Sequence, residues 1–141
     1  DLHPRVRRQR QMCIRDSVRT VNDWLTRDEA VVDEYNAGKL TTFLFTVNGY
    51  RGLMNMILYV RKPRNIERIP KNLPMLMISG LDDPVGEYGK GVYRAYNSYH
   101  GHIDDIDLRL YEDCRHELCN ELNKEEIYEE IYGWIMNHMS K

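Results

Sequence analysis

The chain has 141 residues, 42% of them hydrophobic and 30% charged, with a formal net charge of −2, which is the size and balance of one domain around a single core. Sparse Gly and Pro, an ordinary aromatic share and the lack of a recurring heptad make collagen-like, coiled-coil and disordered classes poor fits, and no run approaches the roughly twenty apolar residues that a membrane span needs. The slightly acidic balance gives no electrostatic case for nucleic acid, and three cysteines are too few for a disulfide framework; together with the lack of a charged-then-apolar leader this leads us to expect a cytoplasmic protein.

Residues 1–17 carry Arg5, Arg7, Arg8, Arg10 and Arg15 against Asp1 and Asp16. A basic arm for nucleic acid or phospholipid is one reading of that segment. Residues 7–17, however, resemble an in-frame translation of a transposase adapter used in sequencing libraries, and Asp1-Leu2-His3 fit the flow-cell end of the same oligonucleotide. The segment is therefore expected to be non-native. The natural sequence would start near Val18, in a chain whose upstream part is missing, and the absent initiator Met agrees.

Thr26 or Asp28 is placed to cap a short helix running to Asp33–Asn36, with Gly38 ending it in the left-handed conformation. A second helix is predicted over 47–61, because Tyr50, Leu53, Met54, Ile57 and Leu58 recur at spacings of three and four and Pro63 follows. Such a stripe fits either ordinary core or a lid over an apolar pocket. Between Pro70 or Pro74 and Ser79-Gly80 runs Met75-Leu76-Met77-Ile78, a short continuous apolar segment that reads as a strand buried on both faces. A helix is predicted over 86–99, with Tyr88, Val92, Tyr96 and Tyr99 on one side. A second strand follows over 107–111, with Leu108 and Leu110 inward. The last helix opens at Asn123-Lys124-Glu125-Glu126 and carries Ile127, Ile131, Trp134 and Ile135 at helical spacing.

Strand, helix, strand with a crossover of this length makes a βαβ unit, so the two strands are expected to be parallel neighbours whose C-terminal ends share one edge. Ligands and catalytic groups gather at that edge in open parallel sheets. Past the first strand stands Leu81-Asp82-Asp83-Pro84; past the second stands Glu112-Asp113-Cys114-Arg115-His116-Glu117. A carboxylate and an imidazole thus come to adjacent loops, as in the Asp-then-His half of a nucleophilic triad, where the carboxylate fixes the imidazole tautomer and stabilises the imidazolium.

Residues 78–86, Leu110-Tyr111-Glu112 and Arg115-His116-Glu117-Leu118 together resemble the C-terminal half of an α/β-hydrolase, in the lysophospholipase and monoacylglycerol lipase-like branch often labelled serine aminopeptidase-like. Trp24-Leu25-Thr26-Arg27-Asp28, Tyr35-Asn36 and Phe43-Leu44-Phe45-Thr46 resemble the cap segment of that branch. The resemblance runs from about Trp24 to Trp134. It implies an α/β fold in which residues 18–70 form cap or lid helices and residues 71–141 the last two parallel strands with their flanking helices. In the family the second acid of the loop is the triad member, so Asp83 is implied over Asp82, with His116 as the base. The implied function is that of a serine hydrolase acting on carboxylic esters of lipids, lysophospholipids or acylglycerols, with no cofactor. Peptide or amide hydrolysis on the same fold is the alternative within the class. A noncatalytic interaction module is the rival outside it.

The family's G-x-S-x-G elbow, which carries the nucleophile, is not in this sequence. Outside residues 1–17 the serines are Ser79, Ser98 and Ser140. Met77 stands where an elbow at Ser79 would need Gly, so the nucleophile is expected upstream and the chain alone is expected to be inactive. His100-Gly101-His102 with Asp104, Asp105 and Asp107 has part of a two-metal spacing, but the later ligands are lacking and a solvated loop is the expected reading. Cys114 and Cys119 flank His116 and are read as small buried thiols rather than nucleophiles. Arg115 is expected to orient the loop or to pair with an acid rather than to touch substrate.

Overall fold

The computed structural model describes residues 19–41 and 43–139. The adapter-like segment, the expected start at Val18, and Ser140 lie outside the described residues.

The chain enters through a tight turn in which Asp23 takes hydrogen bonds from the Thr20 hydroxyl (2.7 Å) and the Arg19 backbone N–H (2.5 Å). Desolvation opposes the charge on Asp23, but these bonds outweigh it and hold its carboxyl below the ordinary value. Helix α1, Glu29–Ala37, is capped by Asp28, whose side chain accepts from the N–H groups of Ala30 and Val31. It buries Val32 alone. Gly38 departs from expectation, because it is extended, with φ −72° and ψ 125°. The helix ends instead where the Gly38 N–H and the Thr41 hydroxyl both donate to the Tyr35 carbonyl.

Helix α2, Val47–Val60, starts at Thr46, whose hydroxyl accepts from the Gly49 N–H at 3.1 Å. Pro63 both bars its continuation and opens the short α3, Pro63–Ile66, as a first-turn proline. No residue of α2 is buried. Leu53 and Ile57, the least exposed of the predicted stripe, are still more than a third open to solvent. The core reading of that stripe therefore fails among the described residues, and the apolar surface stands open.

Strands β1, Met75–Gly80, and β2, Ile106–Tyr111, form a parallel pair in register from Met75↔Ile106 to Gly80↔Tyr111. The crossover between them holds α4, Lys90–His100. This helix begins four residues later than the sequence suggests, because Glu87, Tyr88 and Gly89 all take positive φ (52°, 56° and 82°), which no right-handed helix accommodates. Tyr88 accordingly sits in the turn rather than on the helix face.

Pleating divides the sheet's side chains between two helices. Leu108 and Leu110 of β2 point to the α4 side with Met77, as the alternation predicts. Asp107, Arg109 and Tyr111 point to α5, Lys124–Met139. There Trp134 Nε1 donates to Asp107 (2.7 Å), while Arg109 (3.2 Å) and the Tyr111 hydroxyl (2.9 Å) both donate to Glu130. Near the C-terminal end of the strands lies the core, in which Cys114, Leu118 and Ile127 are buried and Ile78, Tyr111 and Ile131 pack against them. Of β1 only Ser79 and Gly80 are buried. The expectation of burial on both faces fails for residues 75–78, since the described sheet has two strands and each strand keeps an open edge. No helix among the described residues is long and apolar enough to cross a membrane.

Candidate active site

The site lies at the C-terminal edge of the sheet, where two loops are laced together. The Leu81 N–H donates to the Tyr111 carbonyl (2.8 Å) and the Asp82 N–H to that of Cys114 (2.9 Å), extending the ladder beyond the strands. From there the first loop turns back. Asp83 is 5% exposed; its Oδ1 accepts from the Val85 N–H at 2.8 Å, the turn geometry that an Asp before Pro favours. The Tyr88 N–H closes the loop on the Asp83 carbonyl at 2.8 Å. Gly86 keeps the space beside the carboxylate open, because a Cβ there would stand 3.1 Å from both Asp83 Oδ2 and Ser79 Oγ.

The second loop leaves β2 through Asp113, which adopts a left-handed φ of 54°, a conformation that Asp tolerates better than most residues. It presents His116 with Nδ1 3.0 Å from Asp83 Oδ2. An ionised carboxylate only accepts, so Nδ1 is the donor in that bond, and in the neutral imidazole Nε2 then keeps its lone pair. The His116 side chain is 38% exposed, whereas the side chain of Asp83, taken alone, is 7% exposed. A buried acceptor behind an accessible ring is the arrangement in which a proton is taken up and returned at Nε2. Trp24 leans on the ring, with centroids 5.1 Å apart and planes tilted by 52°.

The remaining candidates are placed elsewhere. Ser79 is buried at the end of β1, and its hydroxyl donates to the Gly80 carbonyl at 3.3 Å. Ser98 is on the exposed side of α4 and donates to the Arg94 carbonyl. Cys114 is buried, and desolvation followed by the charge of Glu121 raises its thiol pKa. Cys119 is exposed, a correction to its reading as a buried thiol. His102 Nε2 is 2.7 Å from the Ile69 carbonyl, Asp105 pairs with His138 at 3.3 Å, and Asp107 receives Trp134. The spaced histidines and acids are thus spread over different partners, and among the described residues no three His, Cys, Asp or Glu side chains are grouped to hold a metal ion.

Two residues that matter here gave no sequence signal as a pair. Glu121 is fully buried and accepts from Arg27 Nε (2.8 Å) and from the Arg115 N–H (2.7 Å). Desolvation works against the charge on Arg27, but the hydrogen bond to Glu121 and the negative charge of that carboxylate together outweigh it, and the guanidinium pKa lies above its ordinary value. Arg115 orients the loop as expected, through its guanidinium, which donates to the carbonyls of Asp23 and Thr26.

Beyond the pair lies an open cleft of about 620 Å³ between α4 and the end of α2, lined by Met77, Val85, Gly86, Val92, Arg61 and Arg94 among others. The loop of Asp83 forms one of its walls.

Comparison with known proteins now bears on this geometry. Residues 2–123 match the hydrolase family described as serine aminopeptidase, S33. The match begins within the adapter-like segment. Among solved structures, the chain is similar to a highly thermostable carboxyl esterase from Bacillus coagulans in complex with glycerol, at 25% identity and a TM-score of 0.72, over 88% of this chain and 40% of that one. It is also similar to a lipase in an open form, at 20% identity and a TM-score of 0.74, over 89% of this chain and 42% of the lipase. The chain therefore spans about two-fifths of the length of these structures. No curated protein matches it.

Proposed function

The chain belongs to the serine aminopeptidase (S33) family of hydrolases and has the α/β-hydrolase fold, and from that premise we propose that it is the acid–base part of a serine hydrolase that cleaves carboxylic esters of lipids, of the lysophospholipase or acylglycerol lipase type. The observation that carries this reading is the 3.0 Å contact between His116 Nδ1 and Asp83 Oδ2 at the C-terminal edge of a parallel sheet.

In this reading His116 Nε2 takes the proton of a serine hydroxyl as that oxygen attacks the ester carbonyl. Asp83 stabilises the imidazolium that results, and His116 then protonates the departing alkoxide. In the second half-reaction His116 deprotonates the water that releases the acyl group. The serine itself belongs to sequence upstream of these residues, since Ser79 is spent on the Gly80 carbonyl within a buried strand end. Residues 40–60, with Phe43, Phe45, Leu53 and Ile57 open to solvent, would cover the acyl chain. The similarity to a carboxyl esterase favours an ester over an amide. That Cys114 and Cys119 are both free thiols fits the reducing, cytoplasmic location we propose.

The test has two arms. The chain alone, treated with a fluorophosphonate probe, should stay unlabelled. The same chain joined to its uninterrupted upstream reading frame should label at a G-x-S-x-G serine and hydrolyse monoacylglycerol or lysophospholipid far faster than an aminoacyl amide, and His116→Ala should abolish turnover. Labelling of Ser79 in the chain alone, or a preference for the amide, would contradict the proposal.

A further inference from the structure

The loop bearing His116 has little regular structure of its own between β2 and the short 3₁₀ turn at Leu118–Asn120. Its shape comes from a segment far away in sequence. The His116 N–H donates to the Trp24 carbonyl (3.4 Å) and the Glu117 N–H to that of Leu25 (2.7 Å). The Thr26 hydroxyl donates to the Asn120 carbonyl at 2.7 Å. At the centre of this seam is the Glu121 carboxylate, with no exposed surface at all. One of its oxygens accepts from the N–H of Arg115, the residue that precedes His116, and the other from Arg27 Nε, 94 residues earlier in the chain. Arg27 is held in turn, since its Nη2 donates to Asn123 Oδ1 at 2.7 Å.

An ion pair with the carboxylate fully buried and the guanidinium partly so adds little net stability over an apolar replacement, because the cost of desolvation offsets most of the attraction. What it supplies is direction. A carboxylate with one oxygen on a backbone N–H and the other on a guanidinium has almost no freedom to shift. The imidazole is one residue from the fixed amide, and a proton-transfer pair loses function when displaced by about 0.5 Å.

We propose that Glu121 and Arg27 are positioning residues for His116: the buried carboxylate pins the Arg115 amide, and that pin sets the imidazole on Asp83 in the Nδ1–H tautomer. The inference rests on the reading of His116 as the proton-transfer group, but its test needs no turnover. The ring nitrogens of His116 are followed by long-range proton–nitrogen NMR in the unaltered chain and in Glu121→Gln, Arg27→Lys and Asp83→Asn, with circular dichroism recorded on each.

Asp83→Asn removes the ionised acceptor and supplies the reference spectrum for an unpinned ring. Glu121→Gln and Arg27→Lys should each move the His116 ring signals about half-way or more towards that reference, while the signals of His102, bonded to the Ile69 carbonyl, stay in place. A purely structural role would lower the melting temperature and leave the His116 tautomer as it was, which would overturn the proposal. If Glu121→Gln fails to fold, Arg27→Lys, which keeps the charge but loses the fork, decides in the same way. Should Asp83→Asn itself leave the His116 signals unmoved, the pairing falls, and with it both this inference and the catalytic reading. An inactive full-length enzyme with the tautomer shifts intact would sink the catalytic reading alone.

Discussion

Gly80 lies so close to Cys114 that a Cβ on the glycine would stand 2.1 Å from the Cys114 carbonyl oxygen and 2.2 Å from that of Arg115. The obstruction is backbone, not the end of a flexible side chain, so it yields only if the loop itself moves. This contact lets the two loops approach until Asp83 meets His116. Gly80→Ala should therefore destabilise the chain by about 1–3 kcal/mol or more and lower its melting temperature. Gly52→Ala is the control: it is on exposed α2 with nothing within 4 Å of the added carbon, and should leave stability unchanged or raise it by about 0.5–1 kcal/mol. Equal melting temperatures for the two variants would show that the loops are not packed as described.

How much of this was legible in the sequence depends on the range of the interaction concerned. The βαβ unit is written in local pattern, through the apolar run of β1, the alternation of β2 and a crossover of helical length, and its parallel register follows. Asp28 and Pro63 act where their chemistry places them. The start of α4 was not legible, because Glu87 and Tyr88 are ordinary helix residues that the turn after Asp83 forces to positive φ. Nor was the fate of α2, since a stripe at helical spacing is the same whether or not something covers it.

The site divides along the same line. Its position, two loops past the ends of adjacent parallel strands, follows from topology. The choice between Asp82 and Asp83 came from family resemblance alone. Glu121 was invisible, because its partner is 94 residues away and an acid in a charged stretch gives no sign that it is buried.

The two described cysteines should behave differently towards alkylation. Cys119 is exposed, whereas Cys114 is buried in the core with its thiol pKa raised by desolvation and by Glu121. With iodoacetamide at mildly alkaline pH, peptide mapping should find Cys119 modified first and Cys114 protected until the chain unfolds. Equal rates would show that the core around Cys114, Leu118 and Ile127 is open.

Tyr111 carries a pH dependence of defined sign. Burial, followed by the hydrogen bond to Glu130, pushes its phenol up to about 12 from 10.0. Between those values the folded chain binds more protons than the unfolded one, so this contribution to stability is complete below about pH 10 and is lost as the pH rises through 12. In a tyrosinate absorbance titration of the folded chain, Tyr111→Phe should remove a late step rather than one at the ordinary value. Loss of an ordinary step would place the Tyr111 hydroxyl in solvent.

The most direct measurement of the central claim is the turnover of an acyl ester by Asp83→Asn and Asp82→Asn, each made in the chain joined to its upstream reading frame. If Asp83 orients His116, Asp83→Asn keeps the fold and lowers kcat by on the order of a thousand-fold or more, because the amide favours the wrong imidazole tautomer. Asp82→Asn should cost far less, and Asp83→Asn combined with His116→Ala should cost far less than the product of the two single losses, as members of one catalytic unit do. Near-full activity in Asp83→Asn, or a large loss confined to Asp82→Asn, would contradict the assignment of the 3.0 Å contact between Asp83 and His116 as the acid–base pair.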